Sequence, residues 1–272
     1  MVNNPFVYER SAPHVDQVRN LFANRHRFSK DIVDRGAALF GPPWVEDFEE
    51  TLRLLFPTQE SLESAVKGYA AFAFDALRRQ KRFEQELVYP PKTHEAAAQE
   101  VYLNPAYMIR QYLPGLLLSH FLWPHHYRQL RFFDTAFLEP LHWSGALDFA
   151  EIGIGTGLYS RRLLQRHPRM RGVGYDLSPS SLAFTEEHLR AFGCSERYAT
   201  ELRDVTAHPI PPVTCLICVE VLEHLEDPLA FLRLLRRSLA PGGRAFITAA
   251  LDAPNADHIY LYRKPEEVLE QL

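Results

Sequence analysis

Hydrophobic positions in the first half of the chain recur with a helical period. Leu62, Val66, Tyr69, Ala73 and Leu77 stand three and four apart, so a long helix opening at Thr58 carries one apolar stripe toward a core. Ahead of it, Ser11 caps a predicted helix over 13–22 and Ser29 caps another over 30–40. Gly41-Pro42-Pro43 stops the second, and a third segment, 44–56, runs to Pro57. Tyr89-Pro90-Pro91-Lys92-Thr93 reads as a linker. Short segments over 94–103, 105–113 and 115–123 follow, then 125–138, ended by Pro140. Tyr102, Tyr107, Tyr112, His120, Trp123, His125, His126 and Tyr127 crowd this stretch. Packing is the expected role of each ring taken singly; together they would shape a lid over a substrate pocket. Pro124 disrupts the helix that would align His120, His125 and His126 on a metal.

From residue 146 the pattern changes to apolar runs of strand length alternating with helical stretches. The runs are 146–152, 172–176, 198–203, 213–219 and 244–250, with helices over 158–167, 179–191 and 228–239 between them. Such alternation implies a parallel sheet. Ser178-Pro179 and Asp227-Pro228 open helices, and Ala240-Pro241-Gly242-Gly243 turns into the last strand. The expected architecture is a helical region over 1–140, forming a lid, and a doubly wound, mostly parallel Rossmann-like α/β core over 141–272.

Chemistry enters at the first strand-to-helix junction, Glu151-Ile152-Gly153-Ile154-Gly155-Thr156-Gly157-Leu158. Strand, glycine turn and helix N-terminus bring backbone N–H groups against a ligand. A dinucleotide fingerprint needs G-x-G-x-x-G, and Leu158 stands where its third glycine belongs. That weighs against a nicotinamide oxidoreductase. Asp176 follows nineteen residues past Gly157, Asp204 ends the third strand, Glu220-Val221-Leu222-Glu223-His224-Leu225-Glu226-Asp227-Pro228 follows the fourth, and Leu239-Ala240-Pro241-Gly242-Gly243 precedes the fifth.

In this order, residues 146–250 resemble a class I S-adenosylmethionine-dependent methyltransferase of the ubiquinone-pathway kind. The resemblance implies S-adenosylmethionine as cofactor, lying across Gly153, Gly155 and Gly157. It implies Asp176 on the ribose hydroxyls, Asp204 and the Val205 N–H at the adenine, Glu151 balancing the methionyl ammonium, and Glu220 beside the cofactor. A carboxylate accepting two hydrogen bonds from a diol fixes a nucleoside. The acceptor is expected to be a small molecule, methylated on oxygen sooner than on nitrogen or carbon. His258, just past the fifth strand, and His224 are the candidate bases, because ligands in open α/β sheets bind outside the carboxyl ends of the strands. A non-catalytic S-adenosylmethionine-binding regulator or partner subunit is the alternative.

The resemblance also offers Glu220, Glu223 and His224 as a divalent metal set, on one face if the segment is helical. Leu225 stands where the small-RNA enzymes of this pattern carry a second histidine, and the expectation is that activity needs no added metal.

Thirty basic against thirty-four acidic residues, a net charge of −4, leave no basic patch of nucleic-acid-binding strength. Cys215 and Cys218 are three apart on a strand, hence on opposite faces, and are expected to pack in the core rather than share a metal. No signal pattern opens the chain and no apolar run reaches spanning length, so a cytoplasmic location away from membranes is expected. The family's final β-hairpin has no counterpart after residue 250, which leaves the fifth strand at a sheet edge. The expectation is a fragment of a longer polypeptide, or an edge covered by another subunit, the N-terminal helices or a following domain.

Overall fold

A computed structural model describes residues 11–26, 29–141, 145 and 147–272. The first strand's expected start at 146, and part of the expected regional boundary (142–144), lie outside the described residues. The helical half runs α1 (Pro13–Arg25), α2 (Ile32–Phe40), α3 (Pro42–Leu55), α4 (Gln59–Glu86) and α5 (His94–Glu100). A continuous rod follows, made of α6 (Pro105–Tyr107), a π-helical segment Met108–Tyr112 and α7 (Leu113–Leu122). Then come α8 (Pro124–Phe132), a second π-helical segment Phe133–Leu138 and α9 (Glu139–Leu141). Thr58 caps α4 in a box with Ser61 that satisfies two free N–H groups at the helix start. Ser11 and Ser29 do not take the capping positions expected of them; Ala12 and Asp31 do. On the α4 stripe Leu62, Val66, Tyr69 and Ala73 are buried, but Leu77 is 58% exposed and lines the cavity described below.

The second half is β1 (Asp148–Ile152), α10 (Leu158–Arg166), β2 (Arg171–Asp176), α11 (Pro179–Ala191), β3 (Tyr198–Leu202), β4 (Val213–Cys218), α12 (Pro228–Arg237), β5 (Leu239–Ile247) and α13 (Pro265–Leu269). All pairings are parallel, in the order β3-β2-β1-β4-β5. The order reverses between β1 and β4, and such a switch point opens a crevice at the strands' carboxyl ends. One correction concerns the turn before β5. Val213 pairs with Leu239 while Cys215 pairs with Arg244, so residues 240–243 are looped out inside the strand rather than ahead of it. Gly242, at φ 76°, supplies the left-handed conformation that the loop requires. Among the described residues β5 pairs only with β4, so its outer edge is the end of the sheet.

The two faces of the sheet build different cores. Phe149, Cys215, Ile217 and Phe246 join α10 and the helical half in one apolar cluster, while Ala150, Ile152, Leu216 and Cys218 pack with α12 on the other side. Cys215 and Cys218 thus sit on opposite faces, both fully buried. Of the arginines on α10, Arg161 is buried and Arg162 half-buried. Arg161 reaches Asp47 of α3 (3.1 Å) and lies 4.3 Å from the Phe192 ring, and Arg162 bridges Asp47 (2.5 Å) and Asp134. Guanidinium groups tolerate such burial when their fork is matched by carboxylates. No helix among the described residues is long and apolar enough to cross a membrane.

Candidate active site

A cavity of about 870 Å³ opens at the switch point, with the helical half as its roof. Its floor is the turn between β1 and α10. Gly153, Gly155 and Gly157 all have positive φ (71°, 49° and 72°), which a side chain would strain. At Gly157 a Cβ would also stand 2.6 Å from Thr185 of α11. At Gly155 the nearest side chain is Leu116 of α7, so the roof meets bare backbone.

Two carboxylates frame this end. Asp176, the last residue of β2, takes the Gly155 N–H at 3.1 Å on one oxygen and the Ser178 N–H at 2.8 Å on the other. Burial pushes its pKa up, and those N–H groups only partly offset it. Glu151 is 2% exposed and takes the N–H (3.0 Å) and hydroxyl of Ser160. Burial raises it to about 8 against those two donors. Across the floor, Asp204 accepts from the N–H groups of Thr206 and Ala207 through a single oxygen, which holds it ionised, and Val205 beside it is buried.

The other end of the cavity is made of acids and imidazoles. Glu220 does not sit on a helix with Glu223 and His224: its φ is +51°, and only Leu222–His224 forms a short 3₁₀ turn. The shared helical face expected for these three residues is therefore absent. Glu220 is held instead by the Thr248 hydroxyl (2.7 Å), to which Gln129 of α8 also donates. Glu223 and His224 are joined by His258 from the loop after β5. The two imidazole Nε2 atoms each lie 4.0 Å from Oε1 of Glu223, and the two rings stand 4.8 Å apart, edge to face.

Both imidazoles are oriented from behind. His224 Nδ1 faces the Asp257 carbonyl (3.1 Å) and the Tyr102 hydroxyl (3.0 Å), and His258 Nδ1 faces the Ala253 carbonyl. Buried Asp257 accepts from Tyr102 (2.9 Å) and Tyr112 (3.0 Å), two phenols supplied by the helical half. The titration behaviour follows from charge and burial. For His224 burial favours the neutral ring, but Asp257 and Glu223 outweigh it and the net shift is upward. Burial, with His224 adjacent, drives His258 down to about 3. Glu223 is raised, first by burial and then by Glu220.

Residues 150–245 match a family model described as "Methyltransferase domain". Residues 150–245 are a methyltransferase domain. With its parallel sheet order, the glycine turn and the acid ending β2, it is of the class I type, whose methyl donor is S-adenosylmethionine. Among curated proteins, similar sequences are ubiquinone biosynthesis O-methyltransferases. That of Pseudomonas fluorescens (strain SBW25) is 29% identical over 107 residues, 39% of this chain and 45% of the relative. That of Pseudomonas aeruginosa (strain UCBPP-PA14) is 28% identical over 123 residues, 45% of this chain and 52% of the relative. The chain thus spans about half the length of the curated relatives it matches. Among solved structures, an O-methyltransferase family protein from Burkholderia thailandensis superposes with a TM-score of 0.51 at 14% identity. It covers 72% of this chain and 57% of that one, a likeness of fold.

In the methyltransferase domain the structure thus brings Glu151, Gly153, Gly155, Gly157, Asp176, Asp204, Val205 and Glu220 to one cavity with His224 and His258. The sequence reading passed over Asp257, and it took Tyr102 and Tyr112 only as packing or lid aromatics, not as donors to an acid. The signal available was the adjacency of Asp257 and His258 in a loop beyond a strand's carboxyl end; nothing local marks the tyrosines, more than 140 residues upstream of Asp257. His120 and His126 line the roof with Nδ1 bound to the Leu116 carbonyl and the Ser119 hydroxyl, and burial keeps both rings neutral.

Proposed function

We propose that this protein transfers the methyl group of S-adenosylmethionine to an oxygen of a small-molecule acceptor. The observation that carries the reading is Asp176, placed at the carboxyl end of β2 against the glycine turn, in a cavity that continues to two pocket-facing imidazoles. Asp176 takes the ribose hydroxyls, Asp204 and the Val205 N–H address the adenine, and the glycine turn lies under the methionyl part. Glu151, released from its proton, balances the ammonium, with Glu220 at the sulfur end. The bound sulfonium supplies an activated methyl group, which leaves the protein to align the acceptor and exclude water.

The helical half acts as the lid: Leu116 closes over Gly155, and Tyr69, Phe72 and Trp123 give the acceptor an apolar wall. The acceptor oxygen sits before Glu223, His224 and His258. The Nε2 lone pairs of His258 and His224 are the sites that take the hydroxyl proton as the C–O bond forms and the C–S bond breaks.

Calorimetric titration with S-adenosylmethionine and with NAD tests the cofactor, and only the first is expected to bind. Incubation with phenolic and aliphatic alcohols, followed by assay of S-adenosylhomocysteine, tests transfer. Binding without turnover across such acceptors would leave a regulator or partner subunit; binding of NAD alone would overturn the assignment.

A further inference from the structure

Two histidines of the roof, His120 and His126, take no part in the chemistry assigned above, and both lie outside the matched residues 150–245. Their neighbours decide which ring nitrogen carries the proton. His120 Nδ1 stands 2.8 Å from the Leu116 carbonyl, an oxygen that can only accept, so Nδ1 donates. The partner of His126 Nδ1 is the Ser119 hydroxyl, 2.9 Å away, which could serve either way. That hydroxyl has one proton, and it goes to the Leu116 carbonyl at 2.7 Å. His126 Nδ1 therefore donates as well. In a neutral imidazole this leaves Nε2 as a bare lone pair. Burial keeps both rings neutral: it lowers His120 to about 4 and holds His126 down with help from His120 and His125.

Among the described residues no hydrogen bond reaches either Nε2, and neither atom is sealed away as His188 Nε2 is in the core. The Trp123 ring packs 4.9 Å from His126, but its N–H is spent on the Tyr69 hydroxyl (2.9 Å). The pair thus offers the cavity two acceptors and no donor. We propose that His120 and His126 select the acceptor by taking hydrogen bonds from an N–H or O–H group that it carries besides the oxygen to be methylated. The inference deepens the proposed reaction and rests on that reading for the acceptor's place in this cavity.

Charge narrows the class further. Among the described residues, five carboxyl groups line the cavity, those of Glu151, Asp176, Asp204, Glu220 and Glu223, against the two guanidinium groups of Arg35 and Arg203. A carboxylate or phosphate on the acceptor would meet bare lone pairs at the histidines and acids around them, with its lost hydration uncompensated. A second hydroxyl or an amine N–H meets a matched partner instead, and a buried acceptor pair discriminates against analogues that lack the donor. Packing fixes the direction of the lone pairs: His120 stands edge-on to Tyr159 at 5.8 Å, and His126 lies between Trp123 and the His120 ring, 5.2 Å away.

The first test is ¹⁵N NMR of the imidazoles in the full-length protein. Both rings are expected to show an unprotonated Nε2, and an Nε2–H form of either overturns the proposal. A hydrogen-bond shift at these nitrogens on adding S-adenosylhomocysteine alone would give the rings to the cofactor and overturn it too. Protein saturated with S-adenosylhomocysteine is then titrated calorimetrically with matched phenols: catechol against 2-methoxyphenol, resorcinol against 3-methoxyphenol, 2-aminophenol against 2-(dimethylamino)phenol, with 3-hydroxybenzoate as the anion. In at least one pair the donor-bearing member should bind about five- to tenfold more tightly, and the hydroxybenzoate more weakly than either. His120→Leu and His126→Leu should each reduce that preference and together abolish it, with S-adenosylmethionine affinity within about twofold of the parent. His126 is only half-buried, so His126→Leu keeps the test readable if His120→Leu misfolds. No preference in any pair, or one that survives in the double variant, overturns the role. Turnover without the preference keeps the transferase reading and removes the selection; the preference without turnover does the reverse.

Discussion

The two ends of the cavity are built by opposite means. The floor comes from one short piece of chain, residues 151–177, in which backbone N–H groups, left-handed glycines and one acid at a strand end do the positioning. The far end is assembled from Tyr102, Tyr112, Glu223, His224, Asp257 and His258, with up to 155 residues between hydrogen-bonded partners. The first is a property of a local turn, which the roof touches through Leu116 over Gly155. The second exists only when the helical half is docked, since its phenols hold the acid that faces His224.

The comparison can be broken most severely at the floor. Gly157→Ala adds backbone strain of about 1–3 kcal/mol and an overlap with Thr185 that costs about as much again. Denaturant unfolding should show that loss, and a neutral result would mean the turn is looser than described. Asp176→Ala comes next. Loss of both acceptors should weaken S-adenosylmethionine binding by about 1.5–3 kcal/mol by calorimetry. Unchanged cofactor affinity would remove Asp176 from the ribose.

A smaller effect comes from Glu151, whose folded value of about 8 lies above the ordinary 4.5. Between those values the unfolded chain has lost a proton that the folded protein keeps, so this group's contribution to stability falls as pH rises. Cofactor binding runs the other way, because the ammonium favours the carboxylate. Affinity should climb by up to about tenfold per pH unit below 8, and Glu151→Gln should flatten the slope. The mildest change is Tyr102→Phe, which removes one donor from Asp257. It should cost about 1 kcal/mol of stability, lower kcat, and leave cofactor affinity alone; a fall in affinity instead would show the two ends to be coupled.

This contrast also explains what could be read in advance. The five strands, the glycine turn, Asp176 and Asp204 were legible because each is marked within a few residues by apolar runs, glycine spacing or a cap. His258 was legible from topology, as the imidazole just beyond a strand's carboxyl end. The segment from Glu220 to His224 misled, since spacing of three and four suggests a helix, and nothing in the letters shows that Glu220 adopts φ +51°. The looped-out residues in β5 hid for a similar reason: Pro241-Gly242-Gly243 reads as a turn whether it precedes a strand or interrupts one. Nothing near Arg161 and Arg162 in the sequence marks their partners, Asp47 and Asp134, which lie far away in the helical half.

That last pair has a consequence for how the molecule comes apart. Arg161 and Arg162 leave the helix that begins at the glycine turn, and their carboxylates lie on α3 and on the segment after α8. Peeling the helical half away would break these ion pairs and uncover the apolar cluster that α10 shares with the helices, both at once. One cooperative melting transition, reported alike by calorimetry and by circular dichroism, is therefore the expected outcome, and two resolved transitions would show the halves to be independent.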